Sequence, residues 1–168
     1  MDVDKFDFNR LIDKTRRCLP EEAHAEHRFS AGEPLSLALL TVAPAVFTLM
    51  YAPLVAQDRI MVLGDFGQVP EHAAATIYRQ LMETNFYMFN GRSPCFCISP
   101  ETGHVLFSQA LGISGLSPEL LCANLREVAT QAAEWRRKWD ALQGPAEAVA
   151  HAHSSIFGAA GIRPGRQG

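Results

Sequence analysis

Apolar positions along the chain follow two rhythms, and the switches between them divide it into elements. Over residues 7–19 one face carries Phe8, Leu11, Ile12, Thr15 and Leu19, while Asp, Lys and Arg fill the other, which predicts an amphipathic helix ended by Pro20. Residues 21–34 are polar, with Glu21, Glu22, His24, Glu26 and His27, and read as a long loop. Three runs rich in β-branched and aromatic residues follow at 35–42, 46–51 and 59–66, separated by Pro or Asp, and predict three successive strands. A second helix is expected over 70–86: Pro70 suits a first helical position, Glu71 complements the positive helix end, and Ala74, Ile77, Leu81 and Met82 form its apolar stripe. Runs at 95–99 and 104–111, joined by Pro100-Glu101-Thr102-Gly103, predict a β-hairpin. In the last helix Ser117 is the expected cap and Gly144-Pro145 the stop. Leu121, Leu125, Val128, Ala132, Trp135, Trp139 and Leu142 recur there in steps of four and three, so one side must be buried.

The resulting order, α-β-β-β-α-β-β-α, belongs to the α+β class, with a twisted, mainly antiparallel sheet packed by helices. One folded domain over 1–144 is expected. Residues 145–168, rich in Ala, Gly and Pro and without sustained periodicity, are expected to form a flexible tail.

The uncharged run 34–57 tests this scheme, because 37–56 alone is long enough to span a bilayer as a helix. Pro44 and Pro53 would break such a helix, and Thr41, Val42, Val46, Phe47, Thr48 and Tyr51 favour strands. Two buried strands around an Ala-Pro-Ala turn are therefore expected, with no membrane insertion.

Charge narrows the partners. The 18 acidic and 15 basic residues leave a net charge of −3 with no basic stripe, which argues against nucleic acid. The first ten residues lack the apolar core of a secretory signal, and Cys18, Cys95, Cys97 and Cys122 follow neither a disulfide-scaffold nor a zinc-knuckle spacing. A reducing cytoplasm is the expected location.

Candidate chemistry is thin. Cys95 and Cys97 would share one strand face, yet as cysteines without nearby His or Asp they read as small apolar residues. His24 and His27 lack the spacing of a metal-binding helix, and His151 and His153 fall in the expected tail. Asp65-Phe66-Gly67 matches a kinase triplet whose other signatures are missing, and no P-loop, dinucleotide fingerprint or nucleophile elbow occurs. No catalytic residue, metal or cofactor is expected. A small enzyme built from scattered groups such as Asp65, His72 and His104 is the weaker alternative.

From Gly64 onward the chain reads GDFGQVP, a helix ending LMETN, then CFCISPETGHVLFSQALGISGLSPELL and a long helix containing AAEW. This resembles the class I type III secretion chaperones, the Tir-chaperone or CesT-like family. Leu81, Met82 and Asn85 match the end of that family's second helix, Pro100, Thr102 and Gly103 its hairpin, Leu106 and Leu111 the following strand and turn, and Trp135 a late aromatic of its last helix. The resemblance covers about 5–142 and is strongest over 62–140.

What the resemblance implies is a non-enzymatic, cytoplasmic homodimer, associated with virulence, that binds the N-terminal region of a secreted effector and keeps it extended for export, with the export apparatus as a further partner. Apolar grooves and a strand edge suit that task. The expected effector-binding residues are Leu11 and Ile12 on the first helix and Phe47, Leu49 and Tyr51 on the second strand. Ile77, Leu81 and Phe96 are expected at the dimer interface. A generic interaction adaptor of the same fold is the main alternative.

Overall fold

The structure is a computed structural model and describes residues 6–19, 25–29, 35–88 and 94–141. Helix α1, Phe8–Arg17, begins where the Asp7 carboxylate accepts the Arg10 N–H at 3.0 Å, and it buries Phe8, Leu11, Ile12 and Thr15. Thr15 fits among apolar neighbours because its hydroxyl donates to the Leu11 carbonyl at 2.9 Å.

Among the described residues, six strands form one antiparallel sheet. They are β1 (Ala25–Phe29), β2 (Ser36–Val42), β3 (Ala45–Tyr51), β4 (Arg59–Gly67), β5 (Cys95–Ile98) and β6 (Val105–Gly112), in the spatial order β1-β2-β3-β4-β6-β5. The expected α-β-β-β-α-β-β-α order stands, with one strand more: β1 lies inside the segment read as a loop, pairing with β2 from Ala25 opposite Leu40 to Phe29 opposite Ser36. Its sequence AEHRF carries no alternation of apolar and polar residues, so periodicity gave no sign of it. The uncharged run forms β2 and β3 around Ala43-Pro44, and no helix among the described residues is long and apolar enough to cross a membrane.

Helix α2, Ala74–Met88, follows a short 3-10 turn at Glu71–Ala73. Its buried stripe is Ile77, Leu81 and Thr84, and Met82, expected in the stripe, is instead 67% exposed. Steps of four and three hold one helix face, and Met82 lies about 100° round from Leu81. Thr84 takes the vacant position by donating its hydroxyl to the Gln80 carbonyl at 2.8 Å.

Helix α3, Pro118–Ala141, lies against β2, β3 and β4, and buries Leu121, Leu125, Val128, Ala132 and Trp139. The Ser117 hydroxyl accepts the Leu120 N–H, as expected of a cap. Arg136 fixes the other end: its guanidinium donates to the carbonyls of Pro44, Asp65 and Phe66, tying the helix to the β2–β3 turn and to β4. Gly64 permits this close packing, because a Cβ there would stand 2.9 Å from the Phe47 ring and 3.2 Å from Val128. Leu142 and the expected tail at 145–168 lie outside the described residues.

Candidate protein-interaction surfaces

Strand alternation sorts the sheet into two faces. Ala38, Leu40, Phe47, Leu49, Ile60, Val62, Phe66 and Val105 are buried on the face that carries α1 and α3. Their neighbours on the opposite face, Leu37, Leu39, Met50, Met61, Leu63 and Leu106, all remain partly exposed, and Val46 is 43% exposed. The register aligns these outward residues into rows. Leu37 stands opposite Met50, Met50 opposite Met61 and Met61 opposite Ala110, with Leu39, Thr48, Leu63 and Ser108 in the next row. Apolar surface aligned in this way is a candidate interaction site.

The expected effector-binding residues divide accordingly. Leu11, Ile12, Phe47 and Leu49 sit in the chain's own core, with at most 6% exposure. Phe47 and Leu49 face α3 and the sheet interior because the strand period is two, so Val46, Thr48 and Met50 hold the outward positions. Tyr51 reaches the rim. Its ring meets Phe6 edge-on at 4.9 Å and stacks on Phe8 at 6.1 Å, beside a shallow depression of about 340 Å³ lined by Phe6, Asp7, Phe8, Asn9, Ser36 and Tyr51.

The residues expected at the dimer interface are likewise covered within one chain: Ile77 and Leu81 are on the buried side of α2, and Phe96 is 9% exposed. Phe96 belongs to an aromatic cluster, 5.5 Å from Phe66, 5.1 Å from Phe107 and 4.9 Å from Trp135. Around them lies a second apolar surface that periodicity did not single out. Met82, Phe86 and Tyr87 of α2 are 67%, 78% and 71% exposed, and Ile98 of β5 is 46% exposed. Between α2 and β5 runs a groove of about 390 Å³, with Tyr78, Met82, Asn85, Cys95, Cys97 and Ile98 on its walls.

Asn85 closes the strand side of this groove. Its amide donates to the Phe96 carbonyl at 2.9 Å and its oxygen accepts the Phe96 N–H at 2.7 Å, so both main-chain groups of the central β5 position are satisfied by a helix side chain. The sequence signal was the Asn of LMETN, which marks the position but not the role.

Titratable groups offer little chemistry. The Asp65 carboxylate lies 2.9 Å from His104 Nδ1 and also accepts the Gly67 N–H at 2.7 Å, which fastens the bulge at the end of β4 to the hairpin. Of the scattered groups considered for an enzyme, Asp65 and His104 therefore meet, whereas His72 lies in the 3-10 turn before α2. Cys95 and Cys97 are exposed as residues, yet burial of its sulfur, and next the proximity of Cys95, push the Cys97 thiol above its ordinary range. Among the described residues no cluster of three or more His, Cys, Asp or Glu could hold a metal ion.

A search of curated proteins finds no match to the chain. The sequence profile of the Tir chaperone protein (CesT) family matches residues 38–136, more than half of the chain, from within β2 to the last turns of α3. With an α+β fold of the kind its motifs implied, the chain belongs to the Tir chaperone protein (CesT) family.

Proposed function

We propose that this chain is a type III secretion chaperone that acts as a homodimer, binds the N-terminal region of a secreted effector and holds it extended for export. The observation that carries this reading is the outward sheet face, where apolar residues line up in rows across four strands with no helix of the described residues laid over them. An extended polypeptide matches such a surface, since its alternate side chains fall at the spacing of the rows. Of the expected effector-binding residues, Tyr51 lies on the helix-bearing face with Phe47 and Leu49 and supports the outward face from the rim. Leu11, Ile12, Phe47 and Leu49 act from beneath, holding Thr48 and Met50 outward.

The second copy takes the groove between α2 and β5. Met82, Phe86, Tyr87 and Ile98 form its contact, while Ile77, Leu81 and Phe96 support them from below. The binding unit spans 1–144, the bacterial cytoplasm is its location, and the fold performs no reaction of its own.

Co-expression of the chain with candidate secreted proteins, followed by native mass spectrometry, tests the reading. Two chaperone chains bound to one effector, with an effector segment shielded from protease yet without cooperative unfolding of its own, is the expected result. Recovery of the chain alone from cells that contain its secreted partners would contradict it.

A further inference from the structure

The sheet has two edges, and they are closed by different means. At β5 the Asn85 side chain occupies both main-chain groups of Phe96, and Pro94, which precedes the strand, has no N–H to offer. At the other edge, among the described residues, β1 is the strand that covers the outer side of β2.

Strand β1 is a poor match for the position it holds. In the register Glu26 stands opposite Leu39, His27 opposite Ala38 and Arg28 opposite Leu37, so three polar positions are paired with three apolar ones along the ladder. Cross-strand pairing favours like polarity, and charged residues contribute little beside leucine. Leu37 and Leu39 also begin the two apolar rows of the outward face.

We propose that β1 is a displaceable strand, covering the outer edge of β2 until an extended partner segment with apolar residues at alternate positions takes its place. The partner gains the same main-chain ladder, and its apolar residues at the positions of Glu26 and Arg28 extend the two rows by one strand. This inference rests on the proposed chaperone function for the identity of the partner, but strand exchange itself is measurable without one.

Hydrogen exchange on the full chain is the first arm. Amides of 25–29 should exchange at least about a hundredfold faster than those of 60–66, as in a locally opening element. Equal protection of the two strands overturns the proposal. The second arm adds a synthetic peptide copying residues 20–34 with leucine in place of Glu26 and Arg28. It should bind the chain, deprotect 25–29 and leave 36–42 protected. The same two changes made in the chain itself, E26L/R28L, should strengthen β1 and weaken peptide binding by at least about tenfold, because the competing closed state is then more populated. An E26C/L39C disulfide, its pairing confirmed by peptide mapping, should do the same and release the effect on reduction. Peptide binding that is unchanged in both variants, or that leaves the exchange of 25–29 untouched, overturns strand displacement. A chain that passes both arms yet captures no secreted polypeptide upholds the exchange and contradicts the chaperone reading. One that captures its effector with β1 disulfide-locked does the reverse.

Discussion

Asn85 and Phe96, eleven residues apart, are joined by two hydrogen bonds of 2.9 and 2.7 Å that run in opposite directions between one side-chain amide and one peptide unit. The pair fastens α2 to the edge of the sheet and leaves the Phe96 N–H and C=O unavailable to a further strand on the side away from β6. An Asn85→Ala variant leaves both groups of Phe96 without a partner in a part-buried site, at a cost of about 1–3 kcal/mol. Urea denaturation should show a lower midpoint with little change in slope. Asn85→Asp, which keeps the acceptor and loses the donor, should fall between the variant and the parent. A midpoint for Asn85→Ala equal to the parent's would show that the clamp contributes nothing.

Oligomer and fold should respond to different substitutions on the same helix. Phe86 and Tyr87 are exposed within one chain, so Phe86→Glu combined with Tyr87→Glu should give a folded monomer. Light scattering should report the mass of one chain, with an unchanged circular dichroism spectrum. Leu81→Asp buries a carboxylate at a position 4% exposed and should unfold or aggregate the protein. Dimer mass retained by the double glutamate variant would remove α2 from the interface.

Much of the architecture was legible from periodicity because each strand has its own turn signal and each long helix its own stripe. The strands expected at 59–66 and 104–111 occur at Arg59–Gly67 and Val105–Gly112, and Ser117 caps α3 as its position suggested. The orientation of β3 was not legible. Both of its faces are apolar, Phe47 and Leu49 on one and Val46 and Met50 on the other, and a period of two cannot say which side the helices cover. Gly64 fits the observed side, because a Cβ there would crowd both the Phe47 ring and Val128. Polar strands such as β1 leave no periodic trace, and exposed apolar residues such as Phe86 look like core until the fold shows where the core lies.

Gly64 yields a prediction of its own. Gly64→Ala places a methyl group 2.9 Å from Phe47 and should cost about 1–3 kcal/mol through overpacking. Adding Phe47→Leu should recover part of that loss in a double-mutant cycle, since the two changes share one contact. Strictly additive losses would place the strain elsewhere.

The thiols should prove dispensable. Cys95 and Cys97 both lie at the groove surface, and their joint replacement by alanine should leave fold and partner capture intact. With its pKa raised, Cys97 presents less thiolate at neutral pH than an ordinary cysteine. Its alkylation by iodoacetamide should therefore be slow near pH 7 and continue to rise at pH values where an unperturbed thiol has levelled off. Rapid labelling of Cys97 at neutral pH would contradict the burial of its sulfur.

Apolar rows on the outward sheet face, and not the mildly acidic surface, are expected to hold the partner. Calorimetric titration of the effector's N-terminal segment against the wild-type chain and against Met50→Asp with Leu63→Asp, at about 0.1 M and about 1 M salt, measures this directly, because salt screens exposed charges and leaves apolar contacts in place. Wild-type affinity should change little with salt, and the double variant should lose binding with dimer mass and circular dichroism unaltered. Undiminished binding by the double variant together with loss of wild-type binding at high salt would contradict this reading.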